Sequence, residues 1–177
     1  MMALGGPAGS APGVAAGGVD GGSFRDRQAR VVRSGNRILR ALSESAMQQW
    51  RALAASRFLG SATAAGRLIR TRELSGDEFS RLTWPHAQTP WAGALEHEVV
   101  PFVSYPYEWC FSMLKDAALL QLDLLSEALE EDFVCKDASP YNVQFWGGRP
   151  VFIDVPSFER LQPGQVWSGY RQFCQLF

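Results

Sequence analysis

The chain has 177 residues, 46% of them apolar and 12% aromatic, enough to bury one sizeable core and too apolar for a wholly disordered polypeptide. Seventeen basic against eighteen acidic side chains leave a net charge of −1, so no overall field draws the chain to nucleic acid or an anionic membrane. No apolar run approaches the roughly 20 residues that span a bilayer, and no membrane partner is expected. Fifteen of the seventeen cations are arginine, the lysines being Lys115 and Lys136, and arginines crowd the stretch from Arg25 to Arg81. A coding bias accounts for such a skew. Cys110, Cys135 and Cys174 are widely spaced with no C-x-x-C pair, which supports neither a zinc site nor a disulfide framework and fits buried free thiols in a reducing cytoplasm. His86 and His97 stand in different segments.

Residues 1–23 are rich in Gly, Ala and Pro, lack a basic n-region, and read as a disordered tail. In "ARVVRSGNRILRAL", two short apolar runs around Ser34-Gly35-Asn36 predict a hairpin. Ser43 is a candidate N-cap for a helix carrying Met47, Trp50 and Leu53 or Ala54 at helical spacing, with a second helical piece ending near Gly66. "RLIRTREL" reads as a strand and "SGDEFSRLTWPHAQTPWAG" as a loop or lid. "ALEHEVV" reads as a strand, followed by a connection broken at Pro101 and Pro106. Glu96, His97 and Glu98 alternate on that strand and read as a solvated face. The strongest element is "SMLKDAALLQLDLLSEALEE". It places Leu114, Ala118, Leu122, Leu125 and Leu129 on one face, widened by Leu119, Leu120 and Leu124, and Ser112 is its candidate cap. Short strands at Phe133–Cys135, Val143–Trp146 and Pro150–Val155 follow, the last two joined by Gly147-Gly148. Trp167, Tyr170, Cys174 and Phe177 recur at helical spacing, and the sequence stops inside that pattern, which reads as truncation.

The polar residues around the second hairpin suggest chemistry. Asp137 and Asn142 form D-x-x-x-x-N, and Asp154 follows at the end of "PVFID". Phosphoryl transfer needs a carboxylate to orient the attacking hydroxyl, and an amide oxygen plus a second carboxylate to hold Mg²⁺ against nucleotide phosphates. A hairpin between Asn142 and Asp154 would return both to one edge, with Asp137 beside them. The same residues also suit plain turn and capping roles.

"KDASPYNVQF" and "RPVFIDVPSFE" resemble the catalytic loop and metal-binding strand of the protein-kinase-like superfamily, especially aminoglycoside-phosphotransferase-type kinases. Together with "FVSYPYEWCFSMLKDAALL" they are similar, over roughly residues 28–177, to the N-terminal region of bacterial class I S-adenosylmethionine-dependent methyltransferases of the nodulation-protein kind. The resemblance implies Asp137 as the catalytic-loop carboxylate, Asn142 and Asp154 as metal ligands, and ATP with Mg²⁺ as cofactors. S-adenosylmethionine would belong to a downstream methyltransferase domain. Cys135 stands where such kinases usually have histidine, no lysine matches their strand lysine, and no Gly-rich phosphate loop is evident. Arg40, with Glu44 nearby, is the candidate replacement for that lysine. Lys136 is a candidate phosphate contact, or else a solvated or Glu-paired side chain. Tyr105, Tyr107 and Trp109 either border a ligand pocket or pack in the core.

The expectation is therefore an α+β, protein-kinase-like fold. A lobe at residues 24–110 carries a small sheet and a helix, and a truncated helical lobe at residues 111–177 carries a β-hairpin. The functional expectation is a cytoplasmic, kinase-like module of a methyltransferase-type protein. The alternatives are a phosphotransferase acting on a small-molecule substrate and an inactive pseudokinase-like binding module.

Overall fold

A computed structural model describes residues 28–85 and 90–177; the expected tail at residues 1–23 and His86 lie outside them. The fold is α+β, as expected. A four-stranded antiparallel sheet has the order β1-β2-β4-β3. It is built from β1 (Ala29–Ser34), β2 (Arg37–Leu42), β3 (Thr71–Glu73) and β4 (Gly93–His97). Between β2 and β3 lie α1 (Glu44–Ala54) and α2 (Arg57–Ala64), and between β3 and β4 the short α3 (Gly76–Ser80). Then come α4 (Phe111–Leu129), β5 (Phe133–Cys135), β6 (Val143–Trp146), β7 (Arg149–Phe152), β8 (Phe158–Arg160) and α5 (Tyr170–Leu176).

The local signals explain most starts and turns. Ser43 caps α1 by accepting from the Ala46 amide, and Met47, Trp50 and Leu53 are its buried residues. Ser75 and Glu78 form a reciprocal capping box on α3, at the head of the segment read as a loop. The β6–β7 hairpin pairs Trp146 with Arg149, leaving a two-residue loop in which Gly147 and Gly148 both take positive φ, +59° and +77°. That geometry is what glycine permits and other residues resist.

Beside a small cluster of Leu39, Leu74 and Ala94 on the other face of the sheet, a main core spans both halves of the described chain. Leu42, Met47, Leu53 and Leu95 from the first part share it with Leu124, Val134, Val143, Phe152 and Phe158 from the second. Three polar ties reinforce the seam. Glu131, just past α4, accepts from the Arg57 and Phe58 amides at 3.0 and 2.8 Å, capping α2 from a distant segment. Arg67 forks onto Glu127 of α4 at 2.5 and 2.7 Å. Phe152 of β7 accepts from the Ile69 amide and donates to Arg67 O, both at 2.9 Å. On the outer face of the sheet, Glu96 pairs with Arg37 at 2.5 Å and with Arg72. Arg72 also grips Glu78, and that pairing holds the Glu78 carboxyl down to about 2.

Helix α4 is present but rotated from its expected phase. Its buried residues are Ala117, Leu120, Gln121, Leu124, Leu125 and Ala128, while Leu119, Leu122 and Leu129 are exposed. The expected stripe is thus off by about a quarter-turn at 3.6 residues per turn. Leucine occurs on every side of this helix, so leucine positions cannot phase it; the small Ala117 and Ala128 belong to the side that packs. The helix starts at Phe111 with Cys110 at the cap position and no side-chain cap bond, so Ser112 is not the cap. Likewise β7 ends at Phe152 rather than Val155, and "RLIRTREL" is strand only at Thr71–Glu73.

The rotated phase makes a direct prediction. Leu124, fully buried, should lose about 2–5 kcal/mol on truncation to alanine, whereas Leu122→Ala should stay within about 0.5 kcal/mol. Urea unfolding of the two variants decides between the phases, and the reverse order would restore the expected stripe.

Candidate functional site

The site grows from the loop between β5 and β6. Strand β5 pairs with β8, and the Lys136 amide extends that ladder by donating to Ser157 O at 2.9 Å. The chain then turns. Asp137 Oδ1 accepts from the Ser139 amide at 3.2 Å, and Ser139 Oγ accepts from the Tyr141 amide at 3.2 Å, capping a short 3₁₀ turn at Pro140–Asn142. Asn142 Nδ2 reaches back across the loop to Asp137 O at 3.3 Å. That bond commits the amide nitrogen and puts the carbonyl oxygen Oδ1, the atom a hard cation would bind, on the other branch of the amide.

Asn142 is also the last residue of the hairpin ladder, because its carbonyl accepts from the Ile153 amide at 2.8 Å. Asp154 follows at φ −97° and ψ 63°, where the chain leaves the sheet. Asn142 and Asp154 therefore stand at the same end of one hairpin, with the Asp137 loop joined to it. One amide oxygen and one carboxylate are hard oxygen donors of the kind Mg²⁺ takes, with water or phosphate completing the shell. Among the described residues, no group of three or more His, Cys, Asp and Glu gathers as a metal cluster.

The first sheet reaches this edge through Arg40. Its Nη1 donates to Asp154 Oδ1 at 2.5 Å, with the two side chains 17% and 20% exposed. The partner of Arg40 is thus a residue 114 positions away, and Glu44 instead accepts from Gln48 at 3.2 Å. Arg40 Nε is buried without a hydrogen-bond partner. Lys136 is exposed and lies 3.7 Å from Glu159, the Glu-paired alternative. It lines a small pocket with Gln28, Trp50, Pro156 and Phe158.

His97 lies beside Arg40, and the reading of its strand as a solvated face fails for it. Strand β4 is central, between β2 and β3, and His97 is 6% exposed. The register sets Arg40 opposite Leu95 and Ile38 opposite His97, so Arg40 and His97 share a face with the buried Leu42 and Leu95. Nδ1 of His97 is 2.9 Å from Thr71 Oγ1, and Nε2 is buried with no partner. Burial, and then the Arg40 charge, push His97 down to about 3. An orphaned buried polar atom costs about 1–3 kcal/mol, and Arg40 Nε and His97 Nε2 are two of them on side chains that share one face of the sheet. Alternation alone could not have told the inner face from the outer one.

The loop is held from behind by groups outside it. Gln121 of α4 donates to Ser139 O at 2.7 Å. Trp167 Nε1 donates to Cys135 O at 2.8 Å, and Gln172 of α5 accepts from the Ala138 amide at 2.8 Å. Gly169 lies so close that a Cβ there would stand 2.9 Å from Ala138 Cβ. Cys135 contributes from within: its thiol lies 3.2 Å from Asp137 O and 3.4 Å from Ser157 Oγ. Burial pushes that thiol up to about 12, so it stays protonated, a neutral donor to the loop. Of the aromatic trio, Trp109 packs edge-on against Phe145 at 5.1 Å. Tyr105 and Tyr107 stack on each other at 5.4 Å and remain exposed.

No protein-family model matches the chain. One curated relative does. The chain is similar to nodulation protein NoeA. That protein, from Rhizobium meliloti (strain 1021), is 36% identical over 156 residues, covering 88% of this chain and 31% of its own length. The chain therefore spans about a third of this relative, and the resemblance to nodulation proteins expected from the motifs holds. A solved structure, the Legionella pneumophila Lpg2603 kinase bound to IP6, aligns with 91% of this chain and 71% of its own, at 9% identity and a TM-score of 0.42.

Two measurements test this geometry. His97 is neutral in the fold down to about pH 3, against an ordinary value of 6.5. Between those values the unfolded chain binds the extra proton, so stability is full above about pH 6.5 and falls as pH drops below it. At ~1.4 kcal/mol per pH unit, lowering pH from 7 to 5 should cost about 2 kcal/mol, and His97→Gln should remove that part of the slope in urea unfolding. An identical slope in the variant would place His97 in solvent. Thiol labelling gives the second test: of the thiols expected to be buried only Cys135 is, so Cys110 and Cys174, both exposed, should react in the native state, and Cys135 only after unfolding.

Proposed function

We propose that this chain is a kinase-type module that binds a nucleotide with Mg²⁺ and transfers a phosphoryl group to a small-molecule hydroxyl. The observation that carries this reading is the meeting of Arg40 with Asp154 at 2.5 Å, at the hairpin end that also holds Asn142 and adjoins the Asp137 loop. On this reading Asn142 and Asp154 hold the ion, and Arg40 supplies positive charge from the sheet. Asp137 orients the acceptor hydroxyl and takes its proton as oxygen bonds to phosphorus and the nucleoside diphosphate leaves. The ion, when bound, neutralises charge on the phosphates. Fixed bonds to the loop from Gln121, Trp167 and Gln172 favour a site held in place before the ligand arrives.

A second reading, a non-catalytic nucleotide-binding module, is favoured by Cys135. A buried, protonated thiol stands where such kinases usually have histidine. The nodulation protein extends well beyond the matched region, and on this proposal the methyltransferase activity implied by the resemblance belongs to the remainder of such a longer protein.

ATP with Mg²⁺ at about 100 times its dissociation constant should stabilise the 177-residue chain by about 2.7 kcal/mol, and Asp154→Asn should abolish the effect. Asp137→Ala should keep the thermal shift and lower phosphate transfer or release by a factor of about 10²–10⁴. A shift without any turnover in the unmodified chain selects the non-catalytic reading; no shift at all overturns both.

A further inference from the structure

Gln121 interrupts the buried side of α4. The other buried residues of that helix are Ala117, Leu120, Leu124, Leu125 and Ala128, and Gln121 is itself 4% exposed. Its Nε2 donates to Ser139 O at 2.7 Å, while Oε1 is buried with no hydrogen-bond partner. A leucine would fill such a place without stranding an acceptor, so the glutamine calls for a reason other than packing. The reason lies at the far end of its bond. Ser139 O also accepts from the Asn142 amide at 3.0 Å, and the Ser139 amide donates to Asp137 Oδ1 at 3.2 Å. Ser139 is thus bonded to both polar members of D-x-x-x-x-N. The peptide between Ser139 and Pro140 has no N–H, so that carbonyl is its only polar handle. A residue before proline is confined to extended torsions, and Ser139 has φ −80° and ψ 141°. Fixing its carbonyl therefore also fixes the direction of its N–H, and with it the carboxylate that the N–H holds.

We propose that Gln121 is a positioning residue for phosphoryl transfer: by gripping Ser139 O it holds Asp137 Oδ1 and aims Oδ2 as the proton-accepting oxygen. This deepens the phosphotransfer reading above and rests on it for the reaction. Oδ1 is taken by the Ser139 amide, no described residue donates to Oδ2, and Asp137 is only half-buried, so Oδ2 is the oxygen left for an acceptor. In the step, the acceptor oxygen bonds to the γ-phosphorus. The bridging P–O bond breaks with its electron pair leaving on the nucleoside diphosphate, and the acceptor's proton passes to Oδ2. Gln121 acts only through Ser139, and the same grip steadies the Asn142 amide.

The test follows phosphate release from ATP with Mg²⁺ in the full 177-residue chain, water being the acceptor. Gln121→Met keeps the bulk and loses the donor. It should lower kcat by about tenfold or more, since small misplacements of a reacting group are costly, and leave KM for ATP within about twofold. Gln121→Glu should lose as much at about pH 8 and recover, relative to the unmodified chain at each pH, as the pH falls: an ionised carboxylate cannot donate to Ser139 O, a protonated one can, and burial raises the pH at which it protonates. Amide hydrogen exchange gives a readout free of turnover. In Gln121→Met the Ser139 amide should exchange about tenfold faster or more, with the Leu124 amide of α4 unchanged. An unchanged kcat, a rise in KM alone, a Gln121→Glu deficit equal at every pH, or a Ser139 amide as protected in Gln121→Met as before each overturns the assignment. If Gln121→Met does not fold, the pH dependence of Gln121→Glu decides. Phosphate release that needs Asp137 but not Gln121 refutes this assignment alone. No release from the unmodified chain, with Ser139 protection lost in Gln121→Met, refutes the transfer reading and leaves Gln121 as the holder of the loop.

Discussion

The ion pair between Arg40 and Asp154 is the constraint on which the arrangement of the molecule turns. It joins the middle of the first sheet to the end of the second hairpin across 114 residues of sequence, and both side chains are largely withdrawn from water. A charge in such a place needs its partner, since removing one member leaves the other buried and uncompensated. The sheet can therefore carry an arginine on the face that it packs inward only because the hairpin delivers a carboxylate there. The hairpin end, in turn, stays close to the sheet because Arg67, Ile69 and Phe152 bond the two backbones beside it. What fixes the fold is here also what gathers the candidate site.

A backbone loop next to a core must find partners for its polar groups, and the Asp137 loop finds several of them in side chains. Ser139 O goes to Gln121, Cys135 O to Trp167, Ala138 N to Gln172, and Asp137 O to Asn142 and the Cys135 thiol. The loop is thus pinned by α4 on one flank and by the segment around α5 on another. None of those anchors carries a charge, and the charged groups are left for the edge.

Sequence reading reached those parts whose causes are local. Gly147-Gly148 dictates its hairpin, Ser43 its helix start, and the apolar run 133–135 its strand, because each depends on dihedral preference or a capping bond within a few residues. The D-x-x-x-x-N spacing and the later Asp154 likewise placed three polar residues around one loop, since hairpin register follows from the turn. Where causes are distant the sequence is mute. The phase of α4 is set by what it packs against, and its leucines occupy every side. Strand β8 exists because β5 offers it an edge, and nothing in "FER" announces that. His97 sits between two glutamates in a strand that alternates, and alternation fixes which residues share a face without saying which face is inside. The partner of Arg40 is not the nearby Glu44 but Asp154, in the other half of the chain.

The arginine-rich composition, which by itself signifies only a coding bias, acquires a structural consequence at position 40. A lysine there would offer one compact, strongly hydrated ammonium on a flexible stem, whose three donors Asp154 alone could not satisfy and which is costly to desolvate. Arginine spreads its charge over a planar fork, gives one nitrogen to the carboxylate and retains a donor pointing elsewhere. That retained Nε–H and the unpartnered His97 Nε2 lie on the same face of the sheet. Substituting lysine for Arg40 would conserve the charge and lose the planar fork, which is why charge alone is an insufficient description of the site.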